Sequence, residues 1–565
     1  MLFDFERIPF SRADRFLTLS RMTEGDGTRA TWLRHVSGGD ERPSLGRLCE
    51  MIFLGAQGVS VEPRFTLEPS RLVAEADGNR IEFVIGRGET LHMKGRGLGL
   101  LLKLKGSRYD YAFRTPAGEH CVVASGENLK IRPLASGTAL DVSGQWRRDH
   151  AEDVSISFAP SAAWEGSLEL FEVMPPPEHP LPFADARADA EADFAGWFAR
   201  MPLARAGEEE VHRLAATLLW ANRVPPRGLL TRPSIFMSKN WMINIWSWDN
   251  AFSALGVHRA DPALAFDQFA AIFDHQHESG CLPDFVNDRH MLFAFTKPPV
   301  HGWAVRLIHD SNPQFLTPER RAYLARTIGA QVEYWLEHTR ADTDSLPTYF
   351  HGNDSGWDNA TFFAEGGPVM SPDLPVFLIL ACETLCDLLL EDAAAIARYR
   401  RTADKLFTLL VEWLWDGNRF RARLVADPDR RLPQQSLVQF MPLLLGSRLT
   451  GAIRQKMLDA LKGDGFVTEW GLATESTGSS LYEADGYWRG PIWAPTTLLV
   501  WDGLRRQGET QLAEEIARRF CRMAALNGLA ENFDALTGRG LRDPAFAWTS
   551  AAYLLLSDSL GDSGQ

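Results

Sequence analysis

The period of apolar positions changes once along the chain. Up to about residue 175, short apolar runs such as RLVAEA, IEFVIG, LGLLLKLKG, HCVVASG and VSISFAP alternate with Gly, Asp, Asn and Ser. That spacing predicts short strands joined by tight turns. Many short strands bury their apolar faces most simply as two packed sheets, so a β-sandwich is expected over residues 1–175. The stretch EVMPPPEHPLPF, residues 172–183, carries five prolines. Proline suits neither a helix interior nor a central strand, so a linker is placed at 176–184.

Beyond the linker the period becomes helical. ADFAGWFARM, EEEVHRLAATLLWANRV, RAYLARTIGAQVEYWLEHT, DLPVFLILACETLCDLLL, AIARYRRTADKLFTLLVEWLW, IRQKMLDALK and QLAEEIARRFCRMAALNG all place apolar residues at i, i+3 and i+4, each marking one buried helix face. About a dozen helices are expected over residues 185–560. Antiparallel helices in that number suit a closed double ring of six hairpins, an (α/α)6 barrel. An open superhelix would need a repeat of about 34–47 residues, and none is found. The expected fold class is therefore mainly α: an (α/α)6 barrel preceded by a β-sandwich, with function in the long loops at one mouth of the barrel.

Composition narrows the function classes. At 565 residues the chain exceeds one ordinary core. A net charge of −14 argues against nucleic acid or an anionic membrane as partner. The six cysteines are scattered, and the one close pair, Cys382 and Cys386, has no histidine nearby, so neither zinc nor a disulfide framework is expected. His275 and His277 form an HxH pattern, but a helix would turn them to different faces. No cofactor is expected; a structural calcium is the open alternative, since acids and carbonyls are common in such loops, but no calcium loop is recognisable. GRGLGLLL reads as a strand entry rather than a phosphate loop. MLFDFERIPFSRADRF breaks any apolar stretch with acids and arginines, and no run approaches the ~20 apolar residues of a membrane span. A cytoplasmic location is expected.

Tryptophan is over-used, at 18 against 9 Tyr, and it concentrates in glycine-rich loops. Four loop segments combine carboxylates with aromatics: NWMINIWSWDNAF (240–252), HGNDSGWDNATF (351–362), EADGYWRGPIWAP (483–495) and LAENFDALTGRG (529–540). Acids and arginine satisfy hydroxyls while flat rings cover the apolar faces of a sugar. Each segment also has a structural reading. Asp249 suits a helix N-cap, DSGWDNA an Asx-turn, and YWRGPIW a Pro-initiated helix with Arg489 in an ion pair; Glu531 suits a solvated turn. Glycoside hydrolysis needs two carboxyl groups across the scissile bond, one protonated and one ionised. Burial or a neighbouring charge must raise the acid's pKa, and Asp358, beside Trp357 and four residues from Asp354, fits that requirement.

Together these segments, with LPDF (282–285) and FTKPPVHGWA (295–304) as weaker support, resemble glycoside hydrolase family 63, in particular the bacterial branch of mannosylglycerate and glucosylglycerate hydrolases, and the related family 37 trehalases. The likeness covers about residues 230–555. It implies an (α/α)6 barrel and an inverting, α-glucosidase-like hydrolase that takes a small carbohydrate. By the same resemblance Asp358 is the general acid and Glu531 the general base. Trp248, Asp249, Asp354, Gly356, Trp357, Tyr487, Trp488, Arg489 and Trp493 are implied as substrate-binding. Lys297 and Arg289 are candidates for holding a substrate carboxylate, with a surface location the alternative for each. A phosphorylase on the same barrel and a non-catalytic sugar-binding protein are the competing readings. The oligomeric state has no signal in the sequence.

Overall fold

The computed structural model describes residues 3–561 and divides into two compact units. The first comprises the chain up to Ala199, with Trp220–Pro225 and Ser238–Ile243. Two eight-stranded antiparallel sheets make up most of it. Alternation along each strand sends one face inward: Leu100 and Leu102, opposite Phe53 and Met51, are fully buried in a core shared with Phe83, Ile156 and Phe158. Trp164 stacks on Phe158 with ring centres 5.4 Å apart. Its indole N–H, which would otherwise be orphaned in the core, donates to the Leu98 carbonyl at 2.8 Å.

The boundary lies further along the chain than the prolines imply. The last long strand of the sandwich ends at Phe171, the prolines follow, and helix α1 (Phe183–Phe198) still belongs to this unit. Its residues Phe183, Ala186 and Ala190 form one stripe that packs on Val84. Helical periodicity reveals that such a stripe is buried but not what covers it. The two later segments are tied in by polar contacts. The buried Lys239 ammonium donates to Ser11 Oγ at 2.9 Å and to the Arg15 carbonyl at 2.7 Å, and Arg223 pairs with Asp14 at 2.7 Å.

The second unit, Arg200–Leu219, Pro226–Met237 and the chain from Asn244 onward, is the (α/α)6 barrel. Its helices are most of α2 (Glu209–Ala221, of which Trp220 and Ala221 fall in the first unit), α3 (Asp249–Val257), α4 (Pro262–Phe273), α5 (His301–Ser311), α6 (Pro318–His338), the single turn α7 (Gly352–Ser355), α8 (Asp373–Leu388), α9 (Ala393–Leu414), α10 (Gly451–Gly463), α11 (Ala494–Arg506), α12 (Thr510–Asn527) and α13 (Ala547–Gly561). The inner ring is α3, α5, α8, the segment Leu437–Arg448, α11 and α13: each packs on the next, and α13 returns to α3. The fourth member is tightly wound, carries Pro442 inside it and bends at Gly446. At the closing seam a Cβ on Gly256 would lie 2.5 Å from Ala551, so only glycine lets α3 and α13 approach this closely. Among the described residues no helix is long and apolar enough to cross a membrane.

Candidate active site

Asp249, Asp284, Asp354, Asp358 and Glu531 each lie in a segment that leads into, or begins, an inner helix, so the carboxyl groups gather at one end of the ring. Helix N-termini carry partial positive charge and favour acids there. Short β-pairs bring the segments together. Trp246 pairs with Phe285, and the Ser247 amide donates to the Asp284 carbonyl at 3.0 Å, which sets Asp284 beside Asp249, the first residue of α3. Trp493 pairs with Asn532, which sets Tyr487 near Glu531.

The acid loop has its own clamps. Asp354 accepts from the amides of Phe350 (3.1 Å), His351 (2.9 Å) and Thr296 (3.1 Å). Asn359 donates to the Gly486 carbonyl at 3.1 Å and accepts from the Trp488 amide at 3.0 Å, fastening this loop to the one carrying Tyr487.

The result is an unusual concentration of buried charge. Asp249, Asp284 and Lys297 are each at least nine-tenths buried, while the Asp358 side chain stays 31% open to solvent and so can be reached from outside. The Lys297 ammonium pairs with Asp284 at 3.0 Å, donates to the Asn353 carbonyl at 2.9 Å and lies 3.9 Å from Asp358 Oδ1. Asp249 Oδ2 makes no hydrogen bond within the protein. A buried, unpaired acceptor of this kind is costly unless a ligand supplies the donor.

Burial pushes the carboxyls of Asp249, Asp284 and Asp358 upward, and Lys297 opposes the shift in all three. Burial works against the charge of Lys297 as well, but Asp358, Asp284 and Asp249 together hold it above the ordinary lysine range. Across the site, burial and the nearby Asp543 charge raise Glu531 to about 8, against the Asp543 amide, Arg542 and Tyr487. The Tyr487 phenol bears on both Asp358 and Glu531, and its interaction with each opposes the upward shift, while Glu531, Asp358 and Asp249 in turn raise the phenol. Tyr487 itself sits at φ 63°, a left-handed backbone that bulky residues rarely adopt.

The structure brings Asp249, Asp358 and Glu531 close to Tyr487 and gives several expected substrate contacts other work. Both oxygens of Asp354 are occupied by backbone amides, so it holds the loop. Gly356 is buried at φ 71°, and a Cβ there would lie 2.4 Å from the Trp248 ring, so it makes room for that indole. Trp357 and Trp493 have no exposed surface and Trp248 and Trp488 almost none. The four indoles pack on one another behind the site: Trp488 and Trp493 stack at 4.0 Å, with Trp357 and Trp248 at 5.4 and 6.0 Å from Trp488. Arg489 donates to the Asn359 carbonyl at 2.9 Å and pairs with Glu483 at 3.2 Å, tying loops together. Lys297 is neither a surface cation nor available to a substrate carboxylate, because the site's own acids engage it. Arg289 lies beside Asp288 at 3.7 Å. Asp284 and Asn359 are the participants that sequence reasoning missed, although both fall within quoted segments, LPDF and GWDNA.

Comparison with known proteins bears on the family and the fold. The profile of the mannosylglycerate hydrolase MGH1-like glycoside hydrolase domain matches residues 242–549, more than half of the chain. The mannosylglycerate hydrolase of Thermus thermophilus is 25% identical over 389 residues, 55% of this chain and 93% of its own length. The glucosylglycerate hydrolase of Mycolicibacterium hassiacum is 23% identical over 407 residues, 55% of this chain and 91% of its own. The crystal structure of a bacterial glucoamylase complexed with acarbose, 10% identical, superposes with a TM-score of 0.62 over 99% of this chain and 95% of its own. Its fold therefore accounts for the sandwich as well as the barrel.

Proposed function

The chain belongs to the mannosylglycerate hydrolase MGH1-like glycoside hydrolase family, and from that premise we propose that it is an inverting hydrolase of an α-linked sugar, with Asp358 as general acid and Glu531 as general base. Asp358 protonates the glycosidic oxygen. Glu531 takes a proton from the water that attacks the anomeric carbon from the opposite ring face. Asp249, whose Oδ2 lacks a partner, accepts from hydroxyls of the sugar. The observation that carries the reading is that Asp358 and Glu531, far apart in the sequence, both bear on the one Tyr487 phenol. Inversion needs the two carboxyls about 6.5–9.5 Å apart, with room for a water, whereas retention needs about 5 Å.

The sugar is an α-glucoside or close relative in a small oligosaccharide or conjugate. Relatives acting on mannosylglycerate and on glucosylglycerate set the first compounds to try. One observation favours exchanged roles for the two carboxyls. Lys297 beside Asp358 eases its ionisation, whereas Glu531, raised to about 8, holds a proton more firmly. A bell-shaped pH profile reports the pair and does not assign its members.

Rescue chemistry does assign them. Asp358→Asn should keep turnover of an α-glycosyl fluoride, whose leaving group needs little proton assistance, while losing alkyl glycosides. Glu531→Ala should regain turnover with azide and yield the β-glycosyl azide. Proton NMR of wild-type turnover, independent of inorganic phosphate, should show the β-anomer first. Initial release of the α-anomer would refute the proposal, and swapped rescue patterns would establish the exchanged roles.

A further inference from the structure

We propose that Lys297 is a positioning residue for the general acid: its ammonium, anchored on Asp284 and the Asn353 carbonyl, receives the negative charge that appears on Asp358 as the proton leaves. This inference rests on the reading of Asp358 as the acid. A lysine that served only to join loops would need its two anchors, at 3.0 Å to Asp284 and 2.9 Å to Asn353. The same nitrogen is also 3.9 Å from Asp358 Oδ1, on the carboxyl that is open to the outside. That distance is long for a resting ion pair. It shortens most profitably when Asp358 becomes a carboxylate, which makes the attraction larger in the transition state than in the ground state.

The charge balance of the cluster points the same way. One ammonium faces three acids, the buried Asp249 and Asp284 and the partly open Asp358, and with Asp284 ionised the lysine is already neutralised. A protonated Asp358 then adds no uncompensated charge at rest. In the step itself the Asp358 proton moves to the glycosidic oxygen, and the anomeric C–O bond breaks with its electron pair on that oxygen. The attacking water forms the new bond and gives its proton to Glu531. Asp358 is left as a carboxylate, sharing Lys297 with Asp284 until it is reprotonated from solvent. The groups facing Asp358 are Lys297 from the segment before α5, Asp249 at the start of α3, Asp284 from the strand pair before α5, His351 from its own loop and Tyr487 from the loop before α11. Lys297 is the cation closest to its carboxyl among the ion pairs of the described residues.

The test compares an alkyl α-glycoside with the matching α-glycosyl fluoride in Lys297→Met, Lys297→Arg and Asp358→Asn. If Lys297 acts through the acid, Lys297→Met loses alkyl-glycoside turnover by on the order of 100-fold and fluoride turnover far less. Its kcat/KM profile shifts to higher pH, because removing a cation raises the proton affinity of the neighbouring carboxyls. Lys297→Arg restores the alkyl-to-fluoride ratio toward wild type. Equal loss on both substrates with an unmoved pH profile would overturn the inference and leave Lys297 a loop tie. If Lys297→Met does not fold, Lys297→Gln is judged by the same ratio. Should Asp358→Asn itself lose both substrates equally, the acid assignment is wrong. That result is distinct from a failure of Lys297 alone, where Asp358→Asn shows the selective loss and Lys297→Met does not.

Discussion

Gly356→Ala tests how the site is supported. Gly356 adopts φ 71°, and an added Cβ would sit 2.4 Å from the Trp248 ring. Two penalties are separable. An L-residue in a left-handed backbone costs roughly 1–2 kcal/mol. The clash cannot be relieved by swinging a flexible tip, because Trp248 is locked against Trp488, Trp548 and Phe252, and forcing extra volume into a packed core costs about 1–3 kcal/mol. The expected destabilisation is therefore about 2–5 kcal/mol. Gly366→Ala is the internal control, since Gly366 has φ 93° and an added methyl there would have nothing within 4 Å, so it carries only the backbone cost. Urea unfolding followed by tryptophan fluorescence measures both, read as a midpoint difference at constant m. The comparison is restricted to the barrel transition, because two units need not unfold together. Since Trp248 precedes Asp249, kcat/KM should also fall in Gly356→Ala and hold in Gly366→Ala. If the two variants lie within about 0.5 kcal/mol of each other, the close approach of Gly356 to the indole is not a constraint and the reasoning fails.

Two further outcomes follow from the site. Glu531 titrates at about 8 in the folded protein against an ordinary 4.5. The folded state therefore binds the extra proton between those values, and stability falls as pH rises through that window. Glu531→Gln should consequently melt higher than wild type at pH 8, with the gap narrowing toward pH 5 in a thermal-shift series, even though catalysis is lost. Asn359→Ala removes two loop-clamping hydrogen bonds, each worth about 0.5–1.5 kcal/mol net. Stability should drop by about 1–3 kcal/mol while kcat drops more than ten-fold through misplacement of Asp358; the two are measured by denaturation and steady-state kinetics.

Much of this arrangement is legible in the sequence because loops rich in acids, glycine and tryptophan have no core explanation, and because helical and strand periods differ sharply. Burial without exposure is harder to read. Trp357 and Trp493 look like sugar platforms by composition, yet they are packing that stiffens the loops from behind. The inner segment Leu437–Arg448 escapes a periodicity search because VQFMPLLLG is buried on all sides and interrupted by proline, so it shows no amphipathic stripe. Asp284 sits in LPDF with nothing local to mark it; its importance comes from a strand pair that spans some forty residues of chain. Lys297 reads as a surface cation because lysines are mostly exposed, and only the three acids folded around it make its burial tolerable.

The seam between α3 and α13 has a consequence for how the protein becomes active. The first and last members of the inner circle meet there, glycine against alanine, after almost the whole barrel has been synthesised. Contacts so distant along the chain are slow to form. Asp249 opens the first of these two helices and Glu531 lies just ahead of the last, so the surroundings that desolvate both carboxyls depend on contacts between the two ends of the barrel's sequence.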